Sequence, residues 1–567
     1  MRIQTETSRS IAKRDPALVM RLSRLGSFHQ SRLSFMRILT RRMTRESWTF
    51  SRPVFEFDDK GVGHAVYCAH TPDRTYSLIA FGHDLPAEQR SDRVIATAWD
   101  STFTMFDGVP IAADIARLRQ NIPLQEAGRV SETELSVSRA NRSVRLWDHV
   151  MLRLAAGTQP DLKEVDKVGY LMRTTAVYGS GKLGAADHEM IADRPECAAP
   201  FQIEMLSVFL TRTYVRDLVQ HVANLKGGAA AATLDPDIAR SLGIGNSTGL
   251  GMAPFLINHP MLFNNWIAAR EQAIAIVRNL PTAKKAEANM FRGLLERSLT
   301  SADIWHSAHE GQTEKLKKLR SDLSKLADHA AQADLQAAHP WDRLYQWAEA
   351  TLGEDAQECL ASLLLEPYGA LVDGLSDQMS DRNTQAFRID GTMRVGELRP
   401  ILERAYGWAL DIDWSGQEQC ARAWYVSAEK LEPRLGERFE EPIAPYEQPL
   451  APGRDAAALY DALKTQDGEA SLAGFLLTHP EHRHSVRRAQ IVAVAPYAEI
   501  RDNTISSDLI PIDMLRCKLS FFGATHFDPR SDRWVRICMF GNAPYPEDLQ
   551  SVQSDDWSYP PATRART

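Results

Sequence analysis

What this chain lacks narrows its reading first. No apolar run approaches the roughly eighteen residues that a membrane-spanning helix needs. Cysteine is scarce: six residues, Cys68, Cys197, Cys359, Cys420, Cys517 and Cys538, none of them in a CxxC pair. That spacing excludes a zinc ribbon and an iron–sulfur cluster of ordinary design. It suits a reducing compartment, where lone cysteines serve as small buried hydrophobes, so a cytoplasmic location is expected. The N-terminal stretch does not read as a secretory leader, because arginines interrupt its apolar residues and no small-residue cleavage site follows. There is no G-x-S-x-G, so a serine-hydrolase elbow has no support. No internal repeat is visible.

What is present is the profile of a soluble globular protein of 567 residues, 44% hydrophobic and 25% charged. That length allows about two to four domains. The net charge of −7 is unevenly spread. Residues 1–46 hold eleven Lys and Arg against three acids, a balance of +8, which leaves −15 for the rest. This basic arm also carries Leu18, Leu22 and Leu25, then Phe35, Ile38 and Leu39, near helical spacing. Arginines interleaved with apolar residues need a packing surface as well as a counter-charge. The arm is therefore expected to cover the acidic body or a partner subunit, giving a homo-oligomer, and not to bind nucleic acid or a membrane face. Aromatics able to stack on bases are few there.

The fold class expected is α/β to α+β and helix-rich. Residues 47–108 read as a β-meander, with strands at Phe50 to Phe57, Ala65 to Ala69, Tyr76 to Phe81 and Val94 to Trp99 between turn-forming clusters. Residues 109–281 read as an α/β core. Its period is helical from 109 to 155, a strand runs from Gly169 to Tyr178, a helix opens at Pro200 and closes at Gly227-Gly228, and another spans Pro260 to Leu280. Residues 282–430 read as mostly helical. The stretch around 430–455 holds Pro433, Pro442, Pro445, Pro449 and Pro452 and reads as a linker. An α+β region over 431–542 follows, with helices near 455–464 and 470–479, then strands. A hairpin there pairs Lys518 to Phe522 with Arg533 to Phe540. The tail from 543 to 567 reads as loosely draped.

Two glycine-rich segments carry the functional signal. The first is Tyr178-Gly179-Ser180-Gly181-Lys182-Leu183-Gly184; the second runs from Gly243 through Gly245-Asn246-Ser247-Thr248-Gly249 to Gly251. Glycine lets backbone N–H groups crowd around a bound group, and a following helix N-terminus favours an anion. Neither segment completes a named motif. A Walker A loop needs glycine where Ala176 stands and a hydroxyl residue where Leu183 stands. The second segment follows a short helix, where a dinucleotide fold wants a strand. The cofactor is therefore undefined, with neither a metal motif nor a Walker-type nucleotide motif complete.

The leading expectation is an enzyme acting on a small carboxylate- or phosphate-bearing metabolite. Arg173 and Lys182 would hold the anion, with Tyr178, Gly179, Ser180, Gly181, Asn246, Ser247, Thr248 and Gly249 around it. His188, oriented by Asp187, or His259 would move protons. Lyase, hydrolase and transferase chemistry all fit. The alternatives are a nucleotide-dependent transferase with an atypical phosphate loop, and a non-enzymatic assembly protein. The run His479-Pro480-Glu481-His482-Arg483-His484 resembles a metal cluster, but Pro480 breaks the helix that would align it, and a basic solvent-facing turn is the plainer reading.

Overall fold

The computed structural model describes residues 11–89, 98–121, 132–174, 191, 193–248, 260–380, 389–415, 452–501, 510–528, 535–551 and 555–559. Its frame is a mixed sheet of nine strands in the order β1-β2-β3-β4-β5-β6-β7-β9-β8. The strands are β1 (Thr49–Phe57), β2 (Gly63–His70), β3 (Thr75–Gly82), β4 (Ser101–Asp107), β5 (Glu134–Arg142), β6 (Tyr170–Thr174), β7 (Gly243–Thr248), β8 (His526–Asp528) and β9 (Val535–Met539). β1 to β6 pair as an antiparallel meander, β6 and β7 are parallel, and β9 joins β7 antiparallel. The expected helix-rich α/β to α+β class is observed.

The sheet is covered on both faces, and strand alternation decides which residue goes where. Tyr76, Leu78 and Ala80 enter the main core, whereas Ile79 and Phe81 face a smaller cluster closed by Ile115 and Leu118. Those two belong to α2 (Ala112–Asn121); α1 (Phe35–Arg45) precedes the sheet, and α3 (Trp147–Ala155) and α4 (Leu162–Val168) follow β5. The main face packs on α5 (Gln202–Gly227), whose Tyr214 ring meets Phe57, Tyr67 and Phe103. α5 also lies within the β6-to-β7 crossover, the long connection that a parallel pair requires. Beyond β7 come α6 (Pro260–Arg278), α7 (Lys285–Ile304), α8 (Glu310–Gln332), α9 (Pro340–Thr351) and α10 (Glu354–Leu363). A separate apolar cluster is built from α11 (Val395–Leu410), α12 (Pro452–Lys464) and α13 (Arg483–Val494), centred on Leu398, Leu402, Leu459 and Val486. No helix among the described residues is long and apolar enough to cross a membrane.

The basic arm packs on the body of its own chain. From residue 11 to 46, Val19, Met20, Leu22, Leu25, Phe28, Phe35, Met36 and Leu39 are buried in the main core. Its cations find carboxylates there: Arg14 on Glu271 and Glu358, Arg24 on Glu354, Arg32 on Asp373, and Arg37 on Glu366 and Asp555.

Several local expectations change. The fourth strand is Ser101–Asp107; of 94–99, residues 94–97 lie outside the described residues. Residues 134–142 form β5, where a helical period was expected; Ser136 and Ser138 are buried because α5 covers that face. Gly243–Thr248 is a strand and not a loop. A Cβ on Gly245 would lie 2.5 Å from the Tyr170 ring, and one on Gly243 2.5 Å from Cys538 Sγ, so these glycines permit close strand contact. The hairpin exists as β8 and β9, but Lys518–Phe522 is a π-helical turn that continues α14 (Pro511–Cys517). Residues after 479 continue as α13 where strands were expected. Residues 543–551 and 555–559 are packed, with Leu549 and Tyr559 buried in the core.

Candidate functional site

The strand that precedes the first glycine-rich segment and the strand that holds most of the second are neighbours in the sheet. β6 runs into residues 175–190 and β7 into residues 249–259, and the two strands are parallel neighbours, with Tyr170 opposite Gly243 and Arg173 opposite Gly245. The first segment follows β6 in sequence, and most of the second is β7 itself. Among the described residues, β6 and β7 are the parallel pair of this sheet.

Tyr178, Gly179, Ser180, Gly181, Lys182, Asp187 and His188 lie outside the described residues, as do Gly249 and His259. Arg173 and Asn246 are described and buried. Ser247 and Thr248 contribute backbone to β7, paired with Arg536 and Val535. The N–H groups of this stretch thus belong to a strand ladder and not to an open loop. Arg173 lies opposite Asn141 on β5 and, past a register irregularity between Tyr170 and Arg173, opposite Gly245 on β7. Asn246 Nδ2 donates to the Thr174 carbonyl at 2.8 Å and ties the two strand ends together.

One residue was missed. Lys518 is only 1% exposed, and its Nζ donates to Asn246 Oδ1. It sits at the start of the π-helical turn, a backbone form that recurs at functional sites. A buried ammonium is costly and is kept where charge has a use. The sequence signal was a lysine set among Leu515, Cys517, Leu519, Phe521 and Phe522. A strand reading of that run hid it, because alternation places Lys518 and Ser520 on an outer face.

Other reactive groups fall away. Cys517 ends α14 rather than lying on a strand, and Cys538 lies in β9. Burial pushes both thiols up to about 12, which keeps them protonated and unreactive. His29 is buried against Ser298, and burial lowers its imidazole to about 3, so it stays neutral. His479 and His482 stack with Phe475. Among the described residues, no three His, Cys, Asp or Glu side chains gather as metal ligands. Neither a protein-family model, nor a curated protein, nor a solved structure matches this chain.

Proposed function

We propose that this chain is an enzyme that binds a small carboxylate- or phosphate-bearing metabolite where β6 and β7 end and acts on it by acid/base chemistry. The observation that carries the reading is the Lys518–Asn246–Thr174 junction, a buried ammonium placed at the shared carboxyl end of the parallel pair. Lys518 and Asn246 position the anion at the strand ends, where Arg173 also lies, and Lys182 belongs to the segment that follows β6 in sequence. His188 and His259 follow the two segments in sequence and are the candidates to carry protons.

The test is a thermal-shift screen of the dialysed protein with phosphate, pyrophosphate and small di- and tricarboxylates. A ligand at about 100 times its Kd stabilises by about 2.7 kcal/mol. The stabilisation should vanish in Lys518→Gln and Arg173→Gln if both variants still melt cooperatively. If no anion raises the melting point, or if the variants keep the full shift, the reading fails.

A further inference from the structure

The segment that carries Lys518 is laid against the basic arm. The Arg516 guanidinium donates to the Leu22 carbonyl at 2.8 Å and to the Ser23 carbonyl. The Arg516 carbonyl in turn accepts from the Ser27 N–H at 3.2 Å. The Cys517 thiol donates to the Leu25 carbonyl at 3.8 Å. Beyond Lys518, the Ser520 carbonyl accepts from the Ser31 N–H at 3.4 Å, and the Ala524 carbonyl from Gln30 Nε2 at 2.8 Å. Arm contacts therefore fall on both sides of Lys518, and Leu22, Leu25, Ser27 and Ser31 are buried in making them.

Two glycines show how little clearance is left. Gly26 lies in the left-handed region, at φ +79°, and a Cβ there would stand 2.5 Å from the carbonyl carbon and oxygen of Arg516 and 2.7 Å from the Cys517 nitrogen. Backbone meets backbone at this point, immediately ahead of Lys518. Gly523, at φ +88°, ends the π-helical turn; its N–H donates to the Lys518 carbonyl at 3.1 Å, and a Cβ on it would stand 2.6 Å from Ser34 Oγ. On its other side α14 is held by α8, where Lys315 pairs with Asp513 at 2.7 Å and Gln312 Oε1 accepts from the Ile512 N–H at 3.2 Å. Those contacts fix the start of α14, so placing its end falls to the arm. Close-packed interiors are stiff and pass a displacement on. A lysine ammonium rides on a flexible four-carbon stem, so its meeting with Asn246 Oδ1 depends on where the backbone carries it.

We infer that residues 22–34 of the arm position Lys518 for the anion, with Gly26 as a positioning residue that acts through the Arg516 and Cys517 backbone. This rests on the reading of the Lys518–Asn246–Thr174 junction as the anion site. The arm is then a part of that site as well as a cover for the acidic body. A binding group displaced by a fraction of an ångström loses much of its effect, so the element that places it matters as much as the group itself.

The experiment compares Gly26→Ala with Gly157→Ala in the full chain. Gly157, just after α3, also has φ +79°, and a Cβ on it would stand 2.7 Å from the Ala230 carbonyl oxygen, so the two substitutions impose the same kind of strain at different places. Labelling with acetic anhydride at pH 8, read by mass spectrometry, reports on Lys518 with no ligand present, and the exposed Lys317 serves as reference. Gly26→Ala should raise the Lys518 rate relative to Lys317 at least about tenfold, and Gly157→Ala should leave it unchanged. Gln30→Met, which loses the Ala524 bond at similar size, should act in the same direction and covers the case of a Gly26 variant that does not fold. In the anion thermal-shift screen, Gly26→Ala should lose a stabilisation that Gly157→Ala keeps. The inference is overturned if the two glycine variants label Lys518 alike, if neither Gly26→Ala nor Gln30→Met changes the labelling, or if Gly26→Ala frees Lys518 yet keeps the full anion shift. An unsubstituted protein that no anion stabilises sinks the reading of the junction alone, because the labelling still decides whether the arm places Lys518.

Discussion

Replacing Arg14 by methionine should cost about 3 kcal/mol at neutral pH. Arg14 donates to Glu271 at 2.7 and 2.9 Å, to Glu358 at 2.7 and 3.1 Å, and to the Tyr345 hydroxyl at 3.1 Å. The Glu271 side chain has no solvent exposure. Burial works to raise its carboxyl, but the Arg14 and Arg270 guanidinium groups overcome that and hold it at about 2, from an ordinary 4.5. That difference corresponds to about 3 kcal/mol of linked stability, in line with the roughly 3–5 kcal/mol lost when one partner of a buried pair is removed. Because the folded value is the lower one, this contribution is complete above pH 4.5 and drains away as pH falls toward 2. Without Arg14, Glu271 keeps only Arg270, so its carboxyl should titrate higher, while Glu358 keeps Arg24 at 3.3 Å. Urea unfolding at pH 7 and pH 3, followed by circular dichroism, should show a deficit of about 3 kcal/mol that narrows in acid. Removing the stranded carboxylate as well, in Arg14→Met/Glu271→Gln, should recover part of it. A deficit within about 0.5 kcal/mol, or one that does not change with pH, would refute the reasoning.

Gly245→Ala should cost about 1–3 kcal/mol through its clash with the Tyr170 ring, whereas Gly374→Ala, with open space around it, should stay within about 0.5 kcal/mol; equal melting points for the two would show that β7 does not need close strand contact. Cys517 and Cys538 should resist alkylation at pH 8 in the folded protein and react once it is unfolded in urea, as thiols pushed up to about 12 by burial require; mass-spectrometric detection of rapid native labelling at either would contradict their assignment to the core.

The helical half of the fold was legible because its punctuation is local. Pro260 and Pro281 bracket α6, and Gly227-Gly228 closes α5, as proline and glycine chemistry demands. β5 was not legible: its Ser136, Ser138 and Asn141 are polar, and only α5 and the neighbouring strands make those positions interior. Gly243 and Gly245 illustrate a different limit. A glycine marks close approach of something to the backbone, and sequence cannot say whether that is a phosphate or a tyrosine ring. Lys518 was hidden because a π-helical turn and a short strand share the same apolar pattern over five residues. That β6 and β7 are neighbours came only from their pairing, a long-range fact with no local signature.

The contacts of Arg37 set a constraint on biosynthesis. Its guanidinium, fully buried, is neutralised by Glu366 and by Asp555, the latter 518 residues away. Tyr559 closes the same group through its hydroxyl on Glu366 at 3.0 Å. At about 5–20 residues per second, a ribosome needs roughly half a minute or more to travel from one partner to the other. For that interval the arm, with its exposed Leu, Phe and Met side chains, has no completed seat. Completion of the Arg37 site therefore waits until residues 555–559 have been made, although Arg14, Arg24 and Arg32 meet their carboxylates on Glu271, Glu354 and Asp373 well before that.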